Sequence, residues 1–344
     1  MRDRFHMFIY ALIFMVVLFA GCSDQSEEKF VFNKDNISKL PVDEKRPLKY
    51  VSYENQDKIR LFNPGILKYN PYNNLIYICD TGNHRIVIVD TELNYVGEFG
   101  RFGQGPQEFN EPNGLLFTEN RIFVSDIQNR RMQVFDYDYK NQSSFYWNNI
   151  SYVDFMCINS EGKIIHNNPK DHVFEVLDLN GNKISDFGEL VATKNNRFKT
   201  PENELRYDID PDDNVFCTFK NHPMIRQYDR NFNLIYESDV SYIPGVITRT
   251  EFNKKQTLEN PGRYYTKWLN ESLTVDDNYI YIRFKENGYP IYVFEKNTSL
   301  PVEKIILKPK IDELIDYDFK YITFSPNYLY TIDTINFELY MYKK

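Results

Sequence analysis

Tyr77-Ile-Cys-Asp-Thr-Gly-Asn-His-Arg-Ile-Val-Ile-Val-Asp90 can be laid on Phe123-Val-Ser-Asp-Ile-Gln-Asn-Arg-Arg-Met-Gln-Val-Phe-Asp136 without a gap. Asp80 matches Asp126, Asn83 matches Asn129, Arg85 matches Arg131 and Asp90 matches Asp136. Every offset is 46 residues. Each copy holds two short runs of β-branched and aromatic residues, the mark of strands. Asp, Gly and Asn between them mark a turn. A fixed period in the forties built from such hairpins is the signature of propeller blades.

The segment between the copies is Gly97-Glu-Phe-Gly-Arg-Phe-Gly-Gln-Gly-Pro-Gln-Glu-Phe-Asn-Glu-Pro-Asn-Gly114. A strand ends in Phe99-Gly100, a glycine-rich loop follows, then Phe109, and Pro112-Asn-Gly114 opens the next unit. Over residues 63–136 this resembles the NHL repeat, which implies an NHL-like β-propeller. The loop lacks a Lys-Ser/Thr ending and a following amphipathic helix, so it is not a phosphate loop.

Later units emerge from periodicity. Lys163-Ile-Ile-His166 pairs with Val173–Asp178, and Val215-Phe-Cys217 with Ile225–Asp229. Tyr279–Arg283 pairs with Ile291–Glu295, and Tyr328–Asp333 with Leu339–Tyr342. Asp333-Thr-Ile-Asn336 echoes Asp80-Thr-Gly-Asn83. The expected fold is all-β: a six-bladed propeller over 48–344, with outer hairpins ending near 90, 136, 178, 229, 295 and 342. The last unit runs out after three strands. An open edge would leave backbone groups unpaired, so an N-terminal strand is expected to close it. Leu48-Lys-Tyr-Val-Ser-Tyr53 and Phe30-Val-Phe32 are the candidates.

Antiparallel connectivity sorts the loops. With strands a to d running from axis to rim, the b–c turns and the d–a connections share one end. That end collects Asp80–Arg85, Asp126–Arg131, the loop 100–112, and the stretches 188–204 and 241–272. Loops this long are often functional. The 241–272 insertion, with a short helix expected over Thr250–Leu258, carries Tyr242, Arg249, Arg263, Tyr264, Tyr265, Lys267 and Trp268. Aromatics beside Arg and Lys suit a sugar or peptide with carboxylates; a lid packing its own aromatics on the rim is the alternative. Arg249, Arg263, Tyr264, Tyr265 and Trp268, with Arg101 of the glycine-rich loop, are the candidate ligand residues. Asp80, Asn83, Arg85, Asp126, Asn129 and Arg131 are read as structural turn residues: Asp bonds backbone amides, Asn tolerates positive φ, and Arg braces neighbouring chain.

The N-terminus has a separate logic. Arg2 and Arg4 precede an uncharged apolar run, Phe8–Phe19. Its dozen or so residues fall short of the ~20 that span a bilayer and suit a secretory signal. Leu18-Phe-Ala-Gly-Cys22 resembles a bacterial lipobox, which implies cleavage of 1–21 and lipidation of Cys22. Each buried methylene of the acyl chains would contribute about 0.8 kcal/mol to membrane attachment. By the same resemblance Ser23 implies outer-membrane sorting, with the periplasmic or surface face open. Residues 22–47 are expected to be the lipidated tether, up to a closing strand.

The 344 residues carry a formal charge of −8, which disfavours polyanions and hence nucleic acid. Tyr and Phe each number 27, in keeping with strands. Cys79, Cys157 and Cys217 lie singly in apolar runs and read as buried hydrophobes. His84, His166, His172 and His222 show no metal-ligand spacing, and no GxSxG elbow is present. No catalytic residue is assigned and no cofactor is expected, save a divalent metal on the axis assembled from separate blades. The leading expectation is an outer-membrane lipoprotein whose propeller is a binding or scaffold module for a glycan, peptide or partner protein. Its rival is an exported lyase or hydrolase with that axial metal.

Overall fold

A computed structural model describes residues 34–52, 58–146, 156–193, 199–260, 266–286, 288, 290–309 and 318–344. Cys22, Phe30-Val-Phe32, Arg263, Tyr264 and Tyr265 lie outside the described residues.

Six sheets form a ring, each built on four antiparallel strands. Blade 1 spans residues 67–99, blade 2 112–146, blade 3 156–187, blade 4 205–239, blade 5 270–307 and blade 6 319–343. The innermost strands touch in cyclic order, and the strand of blade 6 returns to that of blade 1. The hairpin ends expected from the sequence coincide with the ends of the third strands, such as Arg85–Asp90 and Ile291–Glu295.

Period-two alternation explains the packing. Successive side chains of a strand point to opposite faces, and in a propeller each face meets a different neighbour. Ile76, Ile78, Val87 and Val89 pack towards blade 6, against Tyr330, Ile332 and Leu339. Tyr77, Cys79, Ile86 and Ile88 pack towards blade 2, against Leu115, Ile122 and Val124. The middle strands are therefore apolar on both faces and read as continuous hydrophobic runs. The rim strand of blade 4, Leu234–Asp239, has one face in water and alternates with charge.

The third and fourth strands of blades 1–4 join through a recurrent turn. Asp90, Asp136, Asp178 and Asp229 each accept the amides two and four residues ahead. The residue three ahead has positive φ: Leu93, Tyr139, Gly181 and Phe232. Leu93, Tyr139 and Phe232 plug the interblade gaps with their side chains; Phe232, for example, stacks on Phe187 at 4.4 Å.

Two N-terminal strands complete the ring. Lys49–Val51 lies antiparallel on the edge of blade 6, with Tyr50 opposite Tyr340 and Val51 opposite Leu339. Of the two candidate closing segments this is the described one. Val42–Lys45 adds a fifth strand to blade 5, parallel to Pro301–Leu307. That strand was not foreseen, because Val-Asp-Glu-Lys has no apolar alternation to announce it. A further difference is the insertion helix, which runs from Pro244 to Glu259 and not merely over 250–258. Proline at the first helical position has no amide to leave unpaired, so it starts the helix readily.

Candidate functional site

The long connections and the b–c turns meet at one end of the ring, tied together by buried carboxylates. Asp80 Oδ1 accepts the amide of Phe62 (2.8 Å), and its Oδ2 accepts Asn83 Nδ2 (2.9 Å) and Arg85 Nε (2.7 Å). Asp126 does the same one blade on. Oδ1 accepts the amide of Asn110 (2.7 Å), and Oδ2 accepts Asn129 Nδ2 (2.9 Å) and Arg131 Nε (2.8 Å). Asn83 and Arg85 also donate to the carbonyl of Arg60, while Arg131 donates to the carbonyls of Gly105 and Glu108. In blade 6 Asp333 keeps the pattern, accepting the amide of Asp318 and Asn336 Nδ2. Each carboxylate thus clamps the connection entering its own blade. Asp80, Asp126 and Asp333 have no exposed surface.

Arg101 belongs to a similar brace. Its Nε and Nη2 donate to Glu108 Oε1, and Glu108 Oε2 accepts the amides of Gln104 and Gly105. The Gly105 amide, with Arg101, holds the Glu108 carboxyl below its ordinary range. The Arg101 side chain is otherwise open to solvent.

The insertion builds a cleft of about 750 Å³ against blade 5, lined by Pro244, Gly245, Thr248, Arg249, Phe252, Lys267, Lys285, Glu286 and Gly288. Its walls are pinned. Arg249 Nε donates to the carbonyl of Lys285 (2.8 Å). Gly245 approaches that same turn so closely that a Cβ would lie 2.9 Å from the Lys285 oxygen. Asn253 holds the backbone of Lys267 from both sides, accepting its amide (2.7 Å) and donating to its carbonyl (3.1 Å). The Lys267 ammonium sits 3.9 Å from the centroid of the Phe252 ring.

Trp268, beside this cleft, is exposed and ringed by cations. Lys220 lies 4.2 Å from its ring centroid, Lys285 5.6 Å and Arg206 5.7 Å. A buried ion network supports them from below. Glu271 bridges Lys285 and Arg283, Arg283 also meets Asp318 (2.8 Å), and Lys220 meets Glu204 (2.9 Å). The structure therefore brings Arg249 and Trp268 to one place and leaves Arg101 on a different connection. The sequence reading missed Lys285 and Lys220. Both lie in the turns after the second strands of their blades, where only the ring's curvature shows that they face the insertion.

The axis is narrow. A space of about 70 Å³ lies between the innermost strands of all six blades, with Lys68, Asp208 and Thr274 among its lining. Asp208 Oδ2 accepts the Thr274 hydroxyl (2.8 Å). Among the described residues no three His, Cys, Asp or Glu side chains converge to hold a metal ion. His166 is buried within blade 3, where desolvation pushes its pKa down to about 3. His222 instead meets Glu202 at 2.8 Å.

Comparison with known proteins agrees with this anatomy. No family model matches the chain. NHL repeat-containing protein 2 of Bos taurus is 28% identical over 171 residues, 44% of this chain and 24% of that protein. The chain thus spans about a quarter of the length of this relative. The chain is a six-bladed β-propeller, similar in sequence to NHL-repeat proteins. Among solved structures, the propeller resembles an exported-protein candidate of Bacteroides fragilis (TM-score 0.57, 14% identity, covering 84% of this chain and 88% of that one). It also resembles the inactive virginiamycin B lyase of Staphylococcus aureus solved with quinupristin (TM-score 0.50, 12% identity, covering 82% and 80%). At such identities the likeness is one of fold.

Proposed function

We propose that the propeller is a binding module, tethered to the bacterial outer membrane by lipid on Cys22, that captures a partner protein or glycan at its loop-rich end. The observation that carries this reading is the pinned cleft of about 750 Å³ between the insertion helix and blade 5. Its size lies in the range of ligand pockets, ~300–1,000 Å³, and its walls are fixed before any partner arrives, which lowers the entropy cost of binding. Protein–protein recognition is a general use of propellers and fits the NHL-repeat relatives.

The test is crosslinked pull-down from native membranes. Replacing 245–268 by a short Gly-Ser linker should abolish partner capture while the melting temperature stays near that of the parent. Unchanged capture would overturn the assignment of the cleft. Separately, Cys22→Ser should release the protein into the soluble fraction and abolish palmitate labelling; persistent labelling would overturn the tether.

A further inference from the structure

We infer that the cleft takes an acidic peptide segment of the partner, held by Lys267 together with Arg249 and Lys285. The inference rests on the reading of the cleft as the capture site and adds the chemistry of its ligand.

Charge comes first. The chain as a whole is acidic, at −8, yet three of the nine lining residues are cations. The one lining acid, Glu286, has both oxygens engaged. Oε1 accepts Lys304 (3.0 Å), and Oε2 accepts the Tyr292 hydroxyl (2.8 Å) and the Gly245 amide (3.3 Å). Lys285 is partly neutralised by Glu271. Lys267 is exposed and has no carboxylate partner among the described residues; it rests on the Phe252 ring. A carboxylate brought to it gains a charge-assisted hydrogen bond without first breaking an ion pair.

The pattern of donors then separates a peptide from a sugar. Lys and Arg donate and cannot accept. A sugar hydroxyl both donates and accepts, so saccharide sites need acceptors as well. Here the lining carboxylate already accepts three hydrogen bonds, and the Thr248 hydroxyl, whose proton goes to the Pro244 carbonyl, offers a single neutral acceptor against three cationic donors. A lining of charged donors beside Pro244 and Phe252 matches carboxylates on an otherwise apolar chain. The pinning of Lys267 by Asn253 and of Arg249 by the Lys285 carbonyl fixes where those donors stand.

The probe is a fluorescein-labelled dodecapeptide of repeated Asp-Glu-Leu, with its Asn-Gln-Leu twin and hexagalacturonate as comparators, read by anisotropy on the full chain. The acidic peptide should bind at least tenfold more tightly than its neutral twin. Its affinity should fall several-fold when salt rises from about 50 to about 300 mM, as screening requires. Lys267→Glu should lose at least tenfold and Lys267→Arg should keep most of the affinity. Lys254→Glu, the same charge change elsewhere on the helix, should lose less than threefold. A melting curve for each variant separates lost affinity from lost fold. Equal binding of the two peptides, binding of neither, or equal losses at Lys267 and Lys254 would overturn the inference. So would tight binding of hexagalacturonate alone, which would make the ligand an acidic glycan. If the peptide fails but capture still depends on 245–268, only the ligand chemistry falls; if both fail, the assignment of the cleft falls with it.

Discussion

Arg131 Nε lies 2.8 Å from Asp126 Oδ2 in the b–c turn of blade 2, with the carboxylate fully buried and the guanidinium nearly so. The pair ties strand ends to a loop that arrives from the previous blade. Removing the carboxylate would leave a buried cation and the Asn110 amide without their acceptor. Asp126→Ala should therefore cost about 3–5 kcal/mol, the range for breaking one side of a buried ion pair. Asp126→Ala with Arg131→Met should recover a large part of that loss. Urea denaturation of the two variants decides it, and equal loss in both would mean that the amide matters more than the charge.

Gly100 and Gly97 offer a matched contrast within one strand end. Gly100 has φ +96, and a Cβ there would sit 2.4 Å from the Phe109 ring; a Cβ at Gly97 meets nothing within 4 Å. Gly100→Ala should destabilise by about 1–3 kcal/mol from overpacking alone, with backbone strain added. Gly97→Ala should be neutral or slightly stabilising. Thermal melts of both check the assignment of the glycine-rich loop as a packed structural element.

His166 makes the fold acid-sensitive. The unfolded chain takes up a proton at this residue near pH 6.5, while the folded chain, with the imidazole pushed down to about 3, does not until far lower pH. The unfolded state binds more protons between those values, so stability falls as pH drops from about 6.5 to about 3. The slope approaches about 1.4 kcal/mol per unit for this group. His166→Gln should flatten the pH dependence across that window, as measured by urea midpoints at several pH values. An unchanged slope would mean that the imidazole is protonated in the native state.

The thiols should be silent. Cys79, Cys157 and Cys217 are buried thiols, and burial pushes Cys217 up to about 12 and Cys157 higher. Reactivity requires the thiolate and access. In a Cys22→Ser chain, native protein should show no rapid reaction with a thiol reagent, and unfolded protein should show three.

The blade edges were legible wherever the chain repeats itself. The 46-residue offset and the two-faced apolar strands give the hairpin positions, because alternation along a strand is a local property. The Asp-initiated turn of blades 1–4 was also there to be read, in Asp90-Thr-Glu-Leu-Asn94 and Asp229-Arg-Asn-Phe-Asn233. In blades 1, 2 and 4 its αL position is occupied by the large residues Leu93, Tyr139 and Phe232, which hides it from a search for glycine. The insertion helix starts at Pro244, ahead of the expected Thr250, because proline at the first helical position has no amide to leave unpaired.

What the sequence alone determined is the number of blades, the strands within them and the end at which the long loops gather. All three follow from periodicity and from reversal of chain direction at each turn. The lipidated Cys22 is likewise an expectation of sequence alone. Only the tertiary structure decided that Lys49–Val51 closes the ring and that Val42–Lys45 lies on blade 5. It also showed that Asp80 and Asp126 clamp incoming loops, and that Arg249, Lys267 and Lys285 line one cleft. These relationships join residues far apart in the chain, and they depend on how each blade turns relative to its neighbour. No local pattern encodes that rotation; it is set by side-chain packing between blades.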